Sequence, residues 1–296
     1  MHKVTTGSIE LKDYRGIVPQ ALLEEIARAA EKLRGLHVVH INATPIGGGV
    51  AEILKSLVPL MGSLGINAEW YAIEPDKSFF RVTKLLHHCL QGRSGYPSDD
   101  DIALYLAHNE RAAESLAGLG ISPDLWIVHD VQVLPLLHYL GTASPAIWVC
   151  HVDTTAPNDQ VRELLLPYIS KYHRVVFSLA EYQLDGVDPA KVSIFPPAID
   201  PLSPKNQPLS PSQARQLLAR LGIDPARPLV SQVSRFDRWK DPWGVIDAYR
   251  LAREQVPGLQ LALVGVMSAQ DDADALEVLA SVQQHAGGEP DIHLYA

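Results

Sequence analysis

The chain has 296 residues, of which 47% are hydrophobic and 20% are charged. At about 150 residues per domain this length predicts two domains, and the apolar fraction is too high for a largely disordered chain. Asp and Glu number 34 against 25 Lys and Arg, and the resulting net charge of −9 excludes a general nucleic-acid binder, which needs a basic surface to bind phosphates.

Short apolar runs alternate with longer helical periods over the first two-thirds of the chain. An amphipathic period predicts a helix over Pro19–Leu33, and the apolar run after it predicts a buried strand over Leu36–Ile41. The elements predicted next are helix Val50–Leu64, strand Asn67–Ile73, helices Phe79–Leu90 and Asp101–Leu116, strand Leu125–Val128, helix Val133–Leu140, strand Ala146–Cys150, helix Gln160–Ser170, and strands Arg174–Ser178 and Lys191–Phe195. This alternation predicts an α/β domain of the Rossmann-like, doubly wound class, with a parallel sheet covered on both faces.

A cluster of prolines then interrupts the pattern. Six prolines fall within residues 196–211, and because proline fixes φ and has no N–H to donate, we predict a stiff, extended linker over 197–211. The linker separates a first domain, 1–196, from a second, 212–296. The elements predicted in the second domain are helix Ser212–Leu221, strand Leu229–Val233, helix Pro242–Gln255, strand Gln260–Val264, helix Ala273–Gln284 and strand Ile292–Tyr295. Three strands are about half of a six-stranded nucleotide-binding fold, so we expect the second domain to be incomplete.

Cysteine content and hydropathy indicate the setting of the protein. Cys89 and Cys150 are too few for a disulfide framework and lie in no metal-ligand spacing, which favours a reducing compartment. The N-terminal residues lack the apolar core of a secretory leader. The longest stretch without charged side chains, Val131–Val152, is interrupted by two prolines and a glycine. We therefore expect a cytoplasmic protein without a membrane-spanning helix.

Three consecutive glycines lie between a predicted strand and a predicted helix, at Gly47, Gly48 and Gly49. Glycine lets backbone N–H groups approach an anion without a Cβ in the way, and the helix N-terminus adds a partial positive charge. The pattern is not the GxxxxGK[ST] of a P-loop, nor the GxGxxG of a Rossmann dehydrogenase. A phosphate-binding loop is the preferred interpretation, and a tight strand-to-helix turn without a ligand is the alternative.

A second candidate site follows the first strand of the second domain, in the run VSQVSRFDRWKDP. Arg235 and Lys240 are five residues apart there in an otherwise acidic protein. Arginine binds phosphate oxygens in a fork, while lysine acts as a mobile point charge. Two such cations would stabilise the charge of a leaving diphosphate without a metal, and we expect the diphosphate to lie between this loop and the glycine loop. The alternative is a solvated loop in which Asp237 pairs with Arg238.

Polar side chains end two of the predicted strands in a similar way. His129 and Asp130 follow one strand, and His151 and Asp153 follow the next. The carboxyl ends of parallel strands form the ligand-binding edge of such a sheet, where a carboxylate can hold sugar hydroxyls and a histidine can donate to a hydroxyl or a phosphate. The alternative is that Asp130 caps a helix and that the other carboxylate only stabilises its own loop.

Other polar clusters have structural explanations. The run Asp99–Asp101 follows Ser98 and precedes a helical period, so we interpret it as a helix N-cap rather than a metal–nucleotide motif. His87 and His88 lie in a predicted helix without a partner at ligand spacing, and no metal site is expected there. The acidic run of 271–274 is interpreted as charge at the start of the last helix.

Several of these segments together resemble the trehalose glycosyltransferring synthase family. Members are retaining glycosyltransferases of the GT-B fold in glycosyltransferase group 4. The segments, in order, are HINATPIGGGVAEILKSLVPLMGSLGI, EWYAI, FFRVTKLLHHCLQG, VHDVQVLPL, CHVDTTAPN and SRFDRWKDPWGVIDAY. The resemblance runs from Tyr14 to the end, and its specific blocks are GGGVAE, HVDTT and SRFDRWKDP. Retaining trehalose phosphorylases are similar in the same blocks.

The resemblance implies a reaction and a set of site residues. Glucose is transferred from ADP-glucose or UDP-glucose to glucose, forming α,α-trehalose reversibly, with no metal or other cofactor. The implied catalytic residues are His151, Arg235 and Lys240, and the implied substrate-binding residues are Gly47, Gly48, Gly49, Asp130 and Asp153. The leaving phosphate helps to deprotonate the acceptor in the usual front-face proposal, so no protein nucleophile is assigned.

The sequence departs from the family pattern at its end. The family's second domain continues with further strands and a pair of glutamates that bind the ribose and sugar of the donor, whereas this sequence stops at Ala296. We therefore expect little or no transferase activity from this chain alone. The expected partners are a nucleotide-sugar and glucose or trehalose, without nucleic acid or membrane, and a homodimer is left open. The alternative functions are a trehalose phosphorylase and a non-catalytic sugar-binding remnant.

Overall fold

Two units, Met1–Asn206 and Gln207–Ala296, each contain a sheet of their own. The computed structural model describes residues 1–73, 75–265 and 275–296. The acidic run of 271–274, interpreted above as helix-start charge, lies outside the described residues. Within the part of the chain that is described, no helix is both long and apolar enough to cross a bilayer.

The first unit is built around a seven-stranded sheet. Its strands are β1 (His2–Lys3), β2 (His37–Asn42), β3 (Asn67–Ala72), β4 (Leu125–His129), β5 (Ala146–Cys150), β6 (Arg174–Phe177) and β7 (Val192–Ile194). Its helices are α1 (Gln20–Glu31), α2 (Gly49–Ser63), α3 (Lys77–Leu90), α4 (Asp99–Ala117), α5 (Leu136–Leu140) and α6 (Asp159–Ile169). The predicted doubly wound α/β class is confirmed.

The order of the strands locates a topological switch point. In space the strands run β1-β3-β2-β4-β5-β6-β7. All neighbours pair in parallel except β1, which adds to β3 as an antiparallel edge strand too short to show a sequence pattern. The chain winds from β2 outward to β3 and then returns to the other side of β2 as β4. Open α/β sheets bind ligands at the carboxyl ends of the strands beside such a reversal, which here are β2 and β4.

Side chains on both faces of this sheet are buried, as expected for parallel strands between helices. Neighbouring residues of β3 point to opposite faces, since Trp70 packs with α2 residues in one apolar cluster and Tyr71 belongs to the main core. Trp126 and Trp148 are the largest side chains of that main core. The strands are thereby held rigidly enough to position the loops that follow them.

Local signals explain where helices of the first unit begin. The Ser98 hydroxyl accepts a hydrogen bond from the N–H of Asp101, and the Asp101 carboxylate accepts one from the N–H of Ser98, which confirms the predicted N-cap of α4. The helix predicted over Val133–Leu140 is confirmed for its second part, since α5 begins at Leu136 and ends at Leu140. A short 3-10 turn, Val131–Val133, precedes α5, and Pro135 between them has no N–H with which to continue a helical hydrogen-bond ladder.

The second unit has three parallel strands in the order β10-β9-β8. Its strands are β8 (Leu229–Val233), β9 (Gln260–Val264) and β10 (Ile292–Tyr295), and its helices are α7 (Pro211–Arg220), α8 (Pro242–Arg253) and α9 (Ala275–Ala286). Leu261 and Leu263 of β9 pack with Ile246 of α8 in the core. This strand order is one half of the six-stranded nucleotide-binding arrangement.

The first part of the proline-rich segment is bound to the first unit. The Asp200 carboxylate accepts hydrogen bonds from the Tyr14 hydroxyl at 3.1 Å and from the Ser56 hydroxyl at 2.7 Å. Its backbone carbonyl accepts a bond of 2.8 Å from the Asn206 side chain. Burial and the Asp200 charge together raise the pKa of Tyr14 to about 12, so the phenol remains a donor. Asp200 therefore fastens the residues up to Asn206, where the first unit ends.

Substitution of Asp200 by alanine is expected to release this segment. The Tyr14 and Ser56 hydroxyls lose their acceptor, which costs about 1–2 kcal/mol of local stability. Thermolysin should then cut within residues 195–206 roughly tenfold faster, because 1.4 kcal/mol corresponds to a factor of ten. Asp188→Ala is the matched control, since Asp188 caps only the 3-10 turn Pro189–Lys191. Equal cleavage of both variants would contradict the tether.

Candidate functional site

The structure brings three of the sequence-predicted features to one edge of the first unit. The glycine loop follows β2, Asp130 follows β4 and His151 follows β5, and these three strands are neighbours in the sheet. Asp153 lies two residues beyond His151 in the same loop. Arg235 and Lys240 belong to the second unit, in the loop after β8.

The glycine loop needs glycine for its backbone conformation. Gly47 and Gly48 have φ angles of +78° and +81°, which side-chain-bearing residues rarely adopt, and Gly49 begins α2. A Cβ at any of the three would meet no described atom within 4 Å, so the glycines are not there for close packing. The loop thus leaves open space beside the N-terminus of α2, where an anion is stabilised.

A buried amide fixes the start of this loop. Asn42 at the end of β2 is 4% exposed, and its Oδ1 accepts a hydrogen bond of 2.8 Å from the Trp70 indole N–H. Its Nδ2 donates to the Thr44 carbonyl at 2.8 Å, and the Thr44 hydroxyl donates to the Ile46 carbonyl at 2.9 Å. The sequence interpretation missed Asn42, although a polar residue closing an apolar strand was a signal that could have identified it.

Asp130 has a backbone conformation that is almost confined to glycine. Its φ and ψ are 69° and 175°, and such geometry costs about 1–3 kcal/mol unless its surroundings impose it. The Asp130 N–H donates to the Val149 carbonyl at 2.8 Å, and the Trp148 indole N–H donates to the Asp130 carbonyl at 2.9 Å. The side chain makes no helix-capping hydrogen bond, so the capping alternative is wrong. Strain of this kind clusters at functional sites.

Two histidines surround the Asp130 carboxylate. The His151 backbone N–H donates to Oδ1 at 3.3 Å, and His87 Nε2 of α3 lies 3.7 Å from Oδ2. Burial acts to raise the pKa of Asp130, but His87 and His151 outweigh it and hold the pKa below its ordinary value. The group is therefore an ionised hydrogen-bond acceptor. His87 was missed as a site residue because helical spacing alone did not place it beside β4.

His151 ends a column of three hydrogen-bonded histidines, which we name the histidine ladder: His40, His129 and His151. His40 Nδ1 lies 3.1 Å from His129 Nε2, and His129 Nδ1 lies 3.1 Å from His151 Nε2. Burial lowers the pKa of His40 to about 4 and also lowers the pKa values of His129 and His151. The Asp130 carboxylate opposes this shift in His151. The ladder is therefore neutral at physiological pH.

Asp153 has a local role in its loop. The side chain belongs to an exposed residue, and its Oδ1 accepts hydrogen bonds from the Thr155 N–H at 2.9 Å and from the Thr155 hydroxyl at 2.6 Å. The neighbouring Thr154 hydroxyl is buried and donates to the Tyr182 carbonyl. The Asp153 carboxylate thus stabilises the turn of its own loop, which is the structural role that the sequence analysis gave as the alternative to sugar binding.

Asp237 organises the basic loop of the second unit. Its carboxylate lies 3.5 Å from Arg235 Nη2 and accepts a hydrogen bond of 3.1 Å from the Lys240 backbone N–H. The structure thus pairs Asp237 with Arg235, whereas the alternative above expected Arg238. The Arg235 side chain is 52% exposed, so its guanidinium is accessible from solvent. The loop presents two cations on a backbone held by one carboxylate.

Asp241 fixes the junction between this loop and α8. It has a φ of 45°, and its carboxylate accepts a hydrogen bond of 3.1 Å from the Gly244 N–H. A Cβ at Gly244 would lie 2.2 Å from Asp241 Oδ2, which explains the glycine at this position. Pro242 occupies the first helical position, where its missing N–H costs nothing.

Comparison with known proteins gives the family. Residues 40–184 match the family described as trehalose synthase, N-terminal domain. The trehalose synthase of Rubrobacter xylanophilus is 44% identical over 299 aligned residues, which cover 100% of this chain and 72% of that protein. The chain belongs to the trehalose synthase family. The match to residues 40–184 includes the glycine loop, Asp130, His151 and Asp153.

More distant relatives agree with this family and its fold. Trehalose phosphorylase of Pleurotus pulmonarius is 25% identical to this chain, and the alignment covers 95% of this chain and 44% of the phosphorylase. The solved structure described as trehalose-6-phosphate from E. coli bound with UDP-2-fluoro glucose superimposes with a TM-score of 0.66 at 17% identity, over 88% of this chain and 73% of that one. The GT-B fold predicted from the sequence is confirmed, and this trehalose synthase family member is a glycosyltransferase.

The strained backbone at Asp130 gives a test that separates binding from stability. We expect Asp130→Gly to be more stable than Asp130→Ala by about 1–3 kcal/mol, because glycine adopts the observed φ and ψ without strain. Both variants lack the carboxylate, so both should bind glucose or trehalose at least about tenfold more weakly, as expected when a charged hydrogen-bond partner is lost. Urea unfolding and calorimetric titration measure the two effects. An alanine variant as stable as the glycine variant would contradict the strain.

Proposed function

We propose that the chain carries out the retaining transfer of glucose from a nucleoside diphosphate glucose to glucose, forming trehalose, with the weak turnover expected above for this chain alone. The observation that carries the proposal is the cluster at the switch point, where the strained Asp130 carboxylate lies beside His87 and His151. An ionised carboxylate accepts hydrogen bonds from sugar hydroxyls, and a neutral histidine adds donors and acceptors nearby. This set of groups suits a carbohydrate better than an apolar ligand.

The proposal gives the two loops complementary roles toward the donor. Gly47, Gly48 and Gly49 offer backbone N–H groups and the N-terminus of α2 to a phosphate or to the acceptor sugar. Arg235 and Lys240 supply two positive charges for the diphosphate. Since these cations stabilise the leaving charge, the proposed reaction needs no metal ion or other cofactor.

The proposed chemistry balances without a protein nucleophile. The bond between C1 of the donor glucose and the diphosphate oxygen breaks, and the bond between C1 and the acceptor hydroxyl oxygen forms on the same face. The hydroxyl proton passes to the departing phosphate oxygen. Cys150 near the site is unsuited to a covalent role, because its thiol is 1% exposed and burial raises its pKa far above the ordinary value.

Sequence similarity favours the synthase over the phosphorylase. The identity to the Rubrobacter trehalose synthase is 44% over the whole chain, against 25% to the Pleurotus phosphorylase. A phosphorylase would use inorganic phosphate in place of the nucleoside diphosphate and release glucose 1-phosphate. The two reactions therefore differ in their phosphate co-substrate, which gives a direct test.

The test uses the 296-residue chain in three parallel assays. The first supplies ADP-glucose or UDP-glucose with ¹³C-glucose and measures labelled trehalose, which also tests the expectation of weak turnover by this chain. The second supplies trehalose with ADP or UDP, and the third supplies trehalose with inorganic phosphate. Calorimetry with glucose and trehalose accompanies them.

The outcomes separate the three candidate functions. Trehalose made from a nucleotide-sugar, or cleaved only with ADP or UDP, supports the proposal. Glucose 1-phosphate from trehalose and inorganic phosphate would replace it by the phosphorylase. Sugar binding with no turnover in any assay favours the non-catalytic remnant, and the absence of any sugar binding would overturn all three.

A further inference from the structure

The histidine ladder extends from the buried interior of the sheet to the candidate site. His40 of β2 is 1% exposed and His129 of β4 is 4% exposed, while His151 is partly accessible. Consecutive rings are stacked, with centroids 5.4 Å apart in both pairs and interplanar angles of 17° and 21°. The three rings are thus held in one geometry by the parallel strands β2 and β4 and by the start of the loop after β5.

The two hydrogen bonds of the ladder couple the tautomers of its members. A neutral imidazole has one N–H donor and one acceptor nitrogen, so each ring that donates through Nδ1 must accept through Nε2. A change of tautomer in the middle ring alone would bring two N–H groups face to face in one hydrogen bond and two lone pairs face to face in the other. Only two neutral states satisfy both bonds: all three rings protonated on Nδ1, or all three protonated on Nε2.

Two observations distinguish these states. The inner end of the ladder, His40 Nε2, is buried and has no hydrogen-bond partner among the described residues. In the Nδ1–H state this atom is a lone pair, whereas in the reverse state it would be an orphaned N–H, which is rarer in proteins. At the outer end, the Asp130 carboxylate accepts from the His151 backbone N–H, and its negative charge also acts on the His151 ring and favours ring dipoles whose positive ends point toward that end of the ladder.

We propose that His40 and His129 are positioning residues that hold His151 in its neutral Nδ1–H form, so that His151 acts as a hydrogen-bond donor and not as a base. This inference rests on the proposed function, because the acceptor of that hydrogen bond is an oxygen of the bound sugar or phosphate. His40 Nδ1–H donates to His129 Nε2, His129 Nδ1–H donates to His151 Nε2, and the remaining Nδ1–H of His151 is the donor offered to the ligand.

The arrangement gives the site a donor without a positive charge. A protonated His151 would also donate, but it would lose the hydrogen bond from His129, because its Nε2 would then carry a proton. A His151 base would need a free lone pair on Nδ1, which the ladder converts to N–H. The two inner histidines, neither of which the sequence interpretation placed in the catalytic set, therefore decide the chemical character of the outer one.

The experiment measures the tautomer of His151 directly. Long-range ¹H–¹⁵N correlation spectra of ¹⁵N-histidine-labelled chain at neutral pH are recorded for the wild type, His40→Phe and His40→Asn. The control is His138→Phe, which replaces an exposed histidine outside the ladder. We expect wild-type His151 to carry its proton on Nδ1 by about tenfold or more, since the reverse state would leave a buried N–H on His40 Nε2 without a partner among the described residues.

His40→Phe should lower the Nδ1–H to Nε2–H ratio of His151 by about fivefold, because His129 Nε2 loses the N–H donor that favours its acceptor form. His40→Asn keeps an N–H donor near the Nδ1 position and should restore the ratio. Calorimetry should show weaker trehalose binding in His40→Phe and unchanged binding in His138→Phe. Because His40 makes no hydrogen bond to the Asp130 carboxylate, its effect on binding must pass through the ladder.

Each result bears on the proposal. A wild-type His151 protonated on Nε2 or on both nitrogens overturns it, and this measurement needs no folded variant. A tautomer ratio that is the same in His40→Phe as in the wild type also overturns it. If the wild type shows the expected tautomer but binds neither glucose nor trehalose, the proposed function fails while the tautomer assignment stands.

Discussion

Acidification from pH 7 to pH 4 is expected to destabilise the first unit by about 3 kcal/mol through His40 alone. The folded-state pKa of His40 is lowered by burial to about 4, against an ordinary value of 6.5. Between these values the unfolded chain binds a proton that the folded chain excludes, so stability present above pH 6.5 is lost as the pH falls to about 4. The size follows from about 1.4 kcal/mol for each pKa unit.

The other members of the ladder act in the same direction. Burial lowers the pKa values of His129 and His151 as well, so both also resist protonation in the folded state. In the Nδ1–H state, protonation of His129 or His151 on Nε2 would place that N–H against the N–H of the inner neighbour, whereas protonation of His40 would leave a buried N–H without a partner among the described residues. The acid sensitivity of the first unit should therefore begin near pH 6.5, well above the range in which most carboxylates titrate.

His40→Phe isolates the contribution of His40. Urea unfolding at several pH values, followed by the fluorescence of Trp70, Trp126 and Trp148, measures the free energy of unfolding in both proteins. The wild type should lose about 3 kcal/mol more than the variant between pH 7 and pH 4, since the carboxylates are the same in both. Parallel pH profiles in the two proteins would show that His40 does not resist protonation in the folded state.

Removal of the Lys240 or Arg235 side chain is expected to weaken binding of ADP or UDP by about tenfold to a hundredfold. Hydrogen bonds to charged groups contribute about 1.5–3 kcal/mol, and each 1.4 kcal/mol is a factor of ten. Lys240→Ala should leave the loop folded, because Asp237 binds the backbone N–H of this residue and not its side chain. Its free energy of unfolding should therefore stay within about 0.5 kcal/mol of the wild type.

A matched charge change controls for long-range electrostatics. Arg220→Ala removes an exposed cation at the end of α7 in the same unit and should leave nucleotide binding unchanged. Isothermal titration with ADP, UDP and the two nucleotide-sugars, repeated at two salt concentrations, gives the affinities. If Arg220→Ala weakens binding as much as Lys240→Ala, the cations act only through the long-range electrostatic potential of the unit, and the proposed diphosphate site is wrong.

Most helices and strands could be predicted from the sequence, because the patterns that indicate them are local. Apolar runs predicted β5, β8, β9 and β10 with the bounds that the structure has, and Ser98 predicted the start of α4. The elements that differ depend on context. Strand β1 is two residues long and pairs with β3, so no periodicity reveals it.

The candidate site was only partly predictable for the same reason. The glycine loop and Asp130 could be located because they directly follow apolar strands, and their motifs also carry the family resemblance. His87, by contrast, lies 43 positions before Asp130 in the chain, and its place 3.7 Å from the carboxylate depends on how α3 packs against the sheet. No spacing rule connects a helix residue with a strand end across that separation.

The amino-acid sequence by itself determined the doubly wound α/β class, the family and the positions of the two candidate loops, because periodicity, glycine patterns and motif order are local properties of the chain. Only the tertiary structure decided the strand order, the strained conformation of Asp130 and the alignment of His40, His129 and His151. These features arise when distant strands pair in a particular order, and burial in the resulting sheet changes the chemistry of side chains that the sequence shows only as polar residues.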